Sequence, residues 1–127
     1  MKVLALDYGR ARTGVAVSDP TGTIARPVGV VKGGDIPRLV ELIREHGAER
    51  VVVGLPLTLR GQVGEQARET QAFIDQLASA SGVEVVPFDE RFTTNLAEQM
   101  AHASAEEDAL AAAHLLTSYL VWASARA

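Results

Sequence analysis

The chain opens on a short apolar run, Val3-Leu4-Ala5-Leu6, that is cut by Asp7 and then by Tyr8-Gly9. Four apolar residues in a row are too few for a helix face or a membrane span and read as a buried strand, which carries Asp7 to its carboxyl end. Gly14 to Ser18 and about Ile24 to Val31 read as two further strands, joined by the turn residues Asp19-Pro20-Thr21-Gly22. A three-strand meander is the expected start.

Helical spacing takes over after Gly33-Gly34. Asp35 is placed as an N-cap, Pro37 lies in the first turn, and Ile36, Leu39, Val40 and Ile43 recur on one face up to Gly47. Val51 to Val53 opens a fourth strand, and the loop from Pro56 to Gly64 leads into a helix with Phe73, Ile74, Leu77 and Ala78 on one face and Gly82 at its end. Val83, Val85, Val86 and Phe88 form a fifth strand that stops at Asp89-Glu90-Arg91. Thr93 or Thr94 is expected to cap a shorter helix through about Met100, and Ser104 to Glu107 has capping-box spacing ahead of a last helix. Its buried stripe is read as Ala109, Ala112, Ala113, Leu116 and Leu120. A meander followed by alternating helices and strands specifies an α/β fold with a mixed five-stranded sheet flanked by helices, and 127 residues without a linker or repeat suit a single domain over 1–127.

Composition narrows the chemistry. There is no cysteine, which excludes disulfides, zinc-thiolate sites and thiol nucleophiles. With no signal-peptide core and no membrane-length apolar stretch, a cytoplasmic protein with no membrane partner is expected. A net charge of -4 argues against nonspecific coating of nucleic acid but leaves room for a local basic groove. Arg10, Arg12, Arg60 and Arg91 fall in predicted loops, where forked guanidinium groups can grip phosphates.

In open α/β sheets, ligands bind beyond the carboxyl ends of parallel strands, so Asp7 and the pair Asp89-Glu90 can converge although they are distant in sequence. Asp108, in the first turn of the last helix, can be aimed at the same spot. Carboxylates brought together repel and raise one another's pKa unless cations intervene, so such a cluster predicts hard divalent metals on oxygen ligands. Two such ions suit phosphodiester hydrolysis. Taken singly, each acid has a plainer reading as a turn former, a solvated loop charge or a helix-dipole complement. His46, His102 and His114 lack ligand spacing.

Four blocks change that balance: Leu6-Asp7-Tyr8-Gly9 with Arg12 and Gly14 to Asp19; Val52 to Leu57 with Gly61 and Gly64; Asp89 to Thr94; and, more loosely, Asp108 with Ala112-Ala113 and Ser118 to Leu120. In this order and spacing they resemble the successive signatures of the YqgF/RuvX family, across nearly the whole chain. The resemblance implies a ribonuclease H-like fold and a nuclease that acts on the precursor of 16S ribosomal RNA, or a Holliday-junction resolvase similar to RuvC. By motif position it implies that Asp7, Glu90 and Asp108 are catalytic and bind two Mg²⁺ or Mn²⁺ ions, with Asp7 bridging both and Asp89 competing with Glu90 for the middle place. The partner is then structured RNA or a four-way DNA junction, and the last helix offers a seam for a homodimer.

Two departures stand out. The family usually has Lys-Arg before the glycine of the first motif, whereas this chain has Ala11-Arg12, and the usually basic segment before the last acid is Ser104-Ala105-Glu106-Glu107. Glu107 is read as a capping residue in preference to an extra ligand. Asp7-Tyr8-Gly9 with Gly14 also resembles the phosphate loop of actin-like and sugar-kinase ATPases, but 127 residues leave no second lobe to close over a nucleotide. The remaining alternative is a noncatalytic nucleic-acid or transcription-complex binding module.

Overall fold

A computed structural model describes residues 1–56, 63–90 and 105–126. Its elements are β1 (Val3–Asp7), β2 (Arg12–Ser18), β3 (Ala25–Lys32), α1 (Ile36–His46), β4 (Arg50–Leu55), α2 (Glu65–Ser81), β5 (Glu84–Asp89) and α3 (Ala105–Ser124). The strands form one sheet in the order β3-β2-β1-β4-β5. β1 pairs antiparallel with β2 and β2 with β3, while β1 runs parallel to β4 and β4 to β5. This is the mixed five-stranded sheet expected from the sequence. The proposed short helix after Thr93 or Thr94, Ser104 of the capping box, and His102 lie outside the described residues.

Both faces of the central strands are covered, so their side chains sort by strand alternation into two cores. Leu4, Leu6, Val15, Val51 and Val53 meet Leu39, Leu42 and Ile43 of α1 and Phe73, Ile74 and Leu77 of α2. Val3, Ala5, Ala16, Val52 and Phe88 meet Ala112, Ala113, Leu115, Leu116 and Tyr119 of α3. Leu4, Leu6, Val51, Val52 and Val53 have no solvent exposure at all. Each such side chain contributes roughly 1.5–3 kcal/mol of transfer free energy, which anchors the strand ends that carry the acids.

The caps explain where the helices begin and turn back. The Asp35 side chain accepts a hydrogen bond from the Arg38 backbone N–H, with Pro37 inside the first turn of α1, as the sequence suggested. α2 ends at Gly82 in the left-handed region. Prolines keep to the two edge strands, Pro27 in β3 and Pro87 in β5, where a missing N–H costs the ladder least. The buried stripe of α3 is wider than the five residues expected from the sequence. Ala111, Leu115 and Tyr119 are buried along with Ala109, Ala112, Ala113 and Leu116, whereas Leu120 is only partly buried. This helix lies flat on a three-strand surface, which covers more than a narrow seam would. At the end of the sheet away from the strand carboxyl termini, Arg50 donates to the Tyr119 hydroxyl at 2.9 Å, tying β4 to α3.

Candidate active site

Asp7 ends β1, and strand alternation places it on the same face as Val3 and Ala5, the face covered by α3. Next to β1 lies β4, then β5, so Glu90, just past the end of β5, is separated from Asp7 by the end of a single strand. Gly54 fills that gap. A Cβ at this position would lie 2.6 Å from Oε1 and 3.0 Å from Cγ of Glu90, so the absence of a side chain is what lets the Glu90 carboxylate lie across β4.

Gly14 does the same on the other side. It pairs with Asp7 in the β1–β2 ladder, and a Cβ there would fall on the main-chain carbonyl of Asp108. The first turn of α3 thus rests directly on bare backbone of β2, which brings Asp108 to the strand end. One cavity of about 300 Å³ is lined by Asp7, Tyr8, Gly9, Arg12, Pro56, Gln66, Glu90 and Asp108. All three acids singled out by sequence therefore share it, although they come from β1, the end of β5 and α3.

Asp89 does not line this cavity. Phe88 belongs to the core under α3, so the alternation that points Phe88 and Glu90 one way points Asp89 the other. Geometry therefore separates the two neighbours that sequence could not. Glu107 is exposed and is likewise absent from the cavity wall. His46 and His114 lie away from it, on α1 and the outer side of α3.

The electrostatics record the crowding. Burial, then the charges of Asp7 and Asp89, push the Glu90 carboxyl up to about 7. Arg12 answers Asp108 with an ion pair, Nε to Oδ2 at 2.7 Å. Among the described residues, no three His, Asp or Glu side chains stand in ligand geometry as they are placed here. The donors nevertheless fit a hard divalent cation in kind: they are all carboxylate oxygens, and the repulsion that raises Glu90 is what a cation between the acids would relieve.

Arg10 points towards α2, where its Nε and terminal nitrogen meet both carboxylate oxygens of Glu69 at 2.6–3.1 Å. It lines a neighbouring cavity of about 490 Å³ with Tyr8, Gly9, Glu65, Gln66 and Glu69, and Tyr8 is held there by stacking on Phe73. Of the four arginines expected at a phosphate-binding rim, Arg12 lines the cavity of the three acids and Arg10 the neighbouring one, while Arg60 and Arg91 lie outside the described residues. Sequence reasoning missed Lys32, which stands opposite Arg12 in the β2–β3 register and so shares its face. It also missed the work done by Gly14 and Gly54, although glycine inside a strand is itself a signal of close approach.

Comparison with known proteins bears on the family and the fold. The family model of RuvX, described as Holliday junction resolvase, matches residues 1–121. The chain belongs to the RuvX family. A relative of this RuvX chain from Rubrobacter xylanophilus is 46% identical over 94% of the chain and 91% of its own length, and one from Chloroflexus aurantiacus is 44% identical over 93% and 85%. Both bear the name "Putative pre-16S rRNA nuclease". Among solved structures, Thermus thermophilus RuvC in complex with a Holliday junction substrate matches this RuvX fold with a TM-score of 0.68 and 18% identity, covering 98% of this chain and 95% of that one. At that identity the likeness establishes the ribonuclease H-like fold.

Proposed function

We propose that this protein is a metal-dependent endonuclease that hydrolyses phosphodiester bonds in structured nucleic acid, acting as a single domain over residues 1–127. The observation that carries the reading is the meeting of Asp7, Glu90 and Asp108 on one cavity. Asp7, Glu90 and Asp108 would hold two Mg²⁺ or Mn²⁺ ions, and these, when bound, supply the Lewis acidity that phosphodiester hydrolysis needs. Asp7, at the end of the strand between the other two, would help to hold both ions.

The chain's own residues do the rest. Gly54 and Gly14 let Glu90 and Asp108 rest closely against the rigid strands β4 and β2, which is what precise positioning of a reacting bond requires. Before metal binds, the Glu90 carboxyl retains a proton near neutral pH, which limits repulsion inside the cavity. Arg10, Arg12, Arg60 and Arg91 supply the phosphate-gripping rim, where local charge outweighs the acidic total.

The names of the relatives support pre-16S ribosomal RNA as a substrate, and the family description supports a Holliday junction. A cleavage panel in Mg²⁺ with pre-ribosomal RNA, linear duplexes and a mobile four-way junction tests the proposal. Cleavage of either structured substrate, lost in Asp7→Asn, is the expected result. Full cellular function and binding in Asp7→Asn would instead favour the noncatalytic binding module. Two symmetric cuts would call for two copies, and the exposed Val121 and part-exposed Trp122 on α3 support that helix as the seam. Among the described residues no helix is long and apolar enough to cross a membrane.

A further inference from the structure

Arg12 is the first residue of β2, and its side chain crosses to the first turn of α3 to pair with Asp108 at 2.7 Å. The Asp108 side chain is only 9% exposed, whereas that of Arg12 is 36% exposed and borders the same cavity as Asp7 and Glu90. Held as a carboxylate, an aspartate so deeply set is stabilised by a positive partner, because a buried carboxylate left unpaired is strongly destabilising. A guanidinium at Oδ2 and a divalent cation at the same carboxylate both draw on that charge, and they repel each other.

We propose that Arg12 is a built-in counter-cation that holds Asp108 while the site is without metal, and that a divalent ion displaces it. The inference rests on the metal reading above and adds an exchange of partners to it. Gly14 fixes the main chain of Asp108, so the carboxylate stays in place and Arg12, longer and nearer to solvent, is the partner that moves. The released guanidinium stands at the rim, facing incoming phosphate oxygens on the same side of the sheet as Lys32. Metal-free protein is thereby kept from presenting an arginine and a naked acid at once.

Calorimetric titration of Mn²⁺ into the full-length protein without nucleic acid tests the exchange. Arg12→Gln should bind Mn²⁺ about three- to fivefold more tightly than the parent, the scale of one partly exposed ion pair that no longer has to be broken. Arg10→Gln removes the same charge from the same loop but not from Asp108, so it should change affinity by no more than about twofold. In an Asp108→Asn background, Arg12→Gln should add nothing further. Binding to the parent with no tightening in Arg12→Gln, or equal tightening in Arg10→Gln, overturns the exchange and leaves the metal reading intact. Failure of Mn²⁺ to bind any of these proteins overturns both. A second measurement needs no substitution: on titration with Mg²⁺, the Arg12 Nε–H resonance should shift as its carboxylate partner is lost, and a resonance that stays put refutes the displacement even if Arg12→Gln does not fold.

Discussion

Replacing Glu90 by glutamine should make the metal-free protein more stable at pH 8 while leaving it no more stable at pH 4. In the folded chain the carboxyl is pushed from 4.5 up to about 7, first by burial and then by Asp7 and Asp89. Between those two values the folded state keeps a proton that the unfolded chain has released. The sign follows from linkage: where the folded state binds more protons, stability falls as pH rises. The loss therefore begins near pH 4.5, grows through the window to pH 7 and levels off above it.

At about 1.4 kcal/mol per pKa unit, the shift is worth roughly 3 kcal/mol at full strength, and roughly 2 kcal/mol once solvent screening of a part-exposed group is allowed for. Glutamine keeps the shape and cannot ionise, so Glu90→Gln should recover that amount at pH 8, an increase in Tm of roughly 5–10 °C for a domain of this size. The assay is chemical or thermal unfolding in chelator at pH 4, 6 and 8, comparing parent and variant so that all other titrations cancel. Parallel stability curves for the two proteins across that range would refute the argument, since they would mean that Glu90 costs nothing to ionise. A saturating concentration of Mg²⁺ should narrow the gap at pH 8 by stabilising the parent more than the variant.

Other substitutions probe the same design. Asp7→Asn and Asp108→Asn should each lower cleavage by about a thousandfold or more while substrate binding persists, with Asp89→Asn much milder; a severe Asp89→Asn beside an active Glu90→Gln would move the middle ligand to Asp89. Gly54→Ala should leave unfolding nearly unchanged, because the displaced atoms are the end of a flexible side chain, yet reduce cleavage by about a hundredfold as measured in single-turnover assays. Lys32→Ala should weaken nucleic-acid binding and lower the slope of its salt dependence by about one, and an unchanged slope would exclude Lys32 from the rim. Light scattering should find a two-fold dimer on a four-way junction, whereas a strict monomer bound one to one would favour RNA processing.

Much of this was legible in the sequence because the signals were local. Apolar runs of strand length, an Asp35-x-Pro37 helix start and Gly82 as a stop each reflect backbone chemistry that neighbours cannot easily override. The acids were legible for a different reason, since each sits where an apolar strand ends or a helix begins. The choice between Asp89 and Glu90 was not. Alternation along β5 fixes only that they point opposite ways, and in a strand packed on both faces nothing local says which face belongs to α3. That knowledge comes from Phe88, which touches Tyr119 and Trp122 thirty and more residues away in the chain. The breadth of the α3 stripe was hidden likewise, because alanine is compatible with a buried and an exposed position alike.

The acidic balance of the chain makes sense in the same physical terms. Two cations, Arg12 at the site and Arg10 in the neighbouring cavity, are already matched to carboxylates, Asp108 and Glu69, so the surface around the two cavities is closer to neutral than its arginines suggest. A duplex or folded RNA brings a dense line of negative charge, and each ion pair it opens returns a carboxylate to the site as well as an arginine to a phosphate. For Asp108 that carboxylate is useful, because it faces the cavity where a divalent cation would take it up. For Glu69 it is not, since Glu69 lines the neighbouring cavity beside Glu65 and would repel the backbone. The two pairs should therefore differ in their response to metal: binding that depends on Arg12 should improve with Mg²⁺, while binding that depends on Arg10 should be gated by Glu69 whatever the metal. Glu69→Gln separates them, and it should strengthen nucleic-acid binding about three- to fivefold in chelator and in Mg²⁺ alike. If it does so only in Mg²⁺, Arg10 and Arg12 belong to one coupled unit and the division drawn between them is wrong.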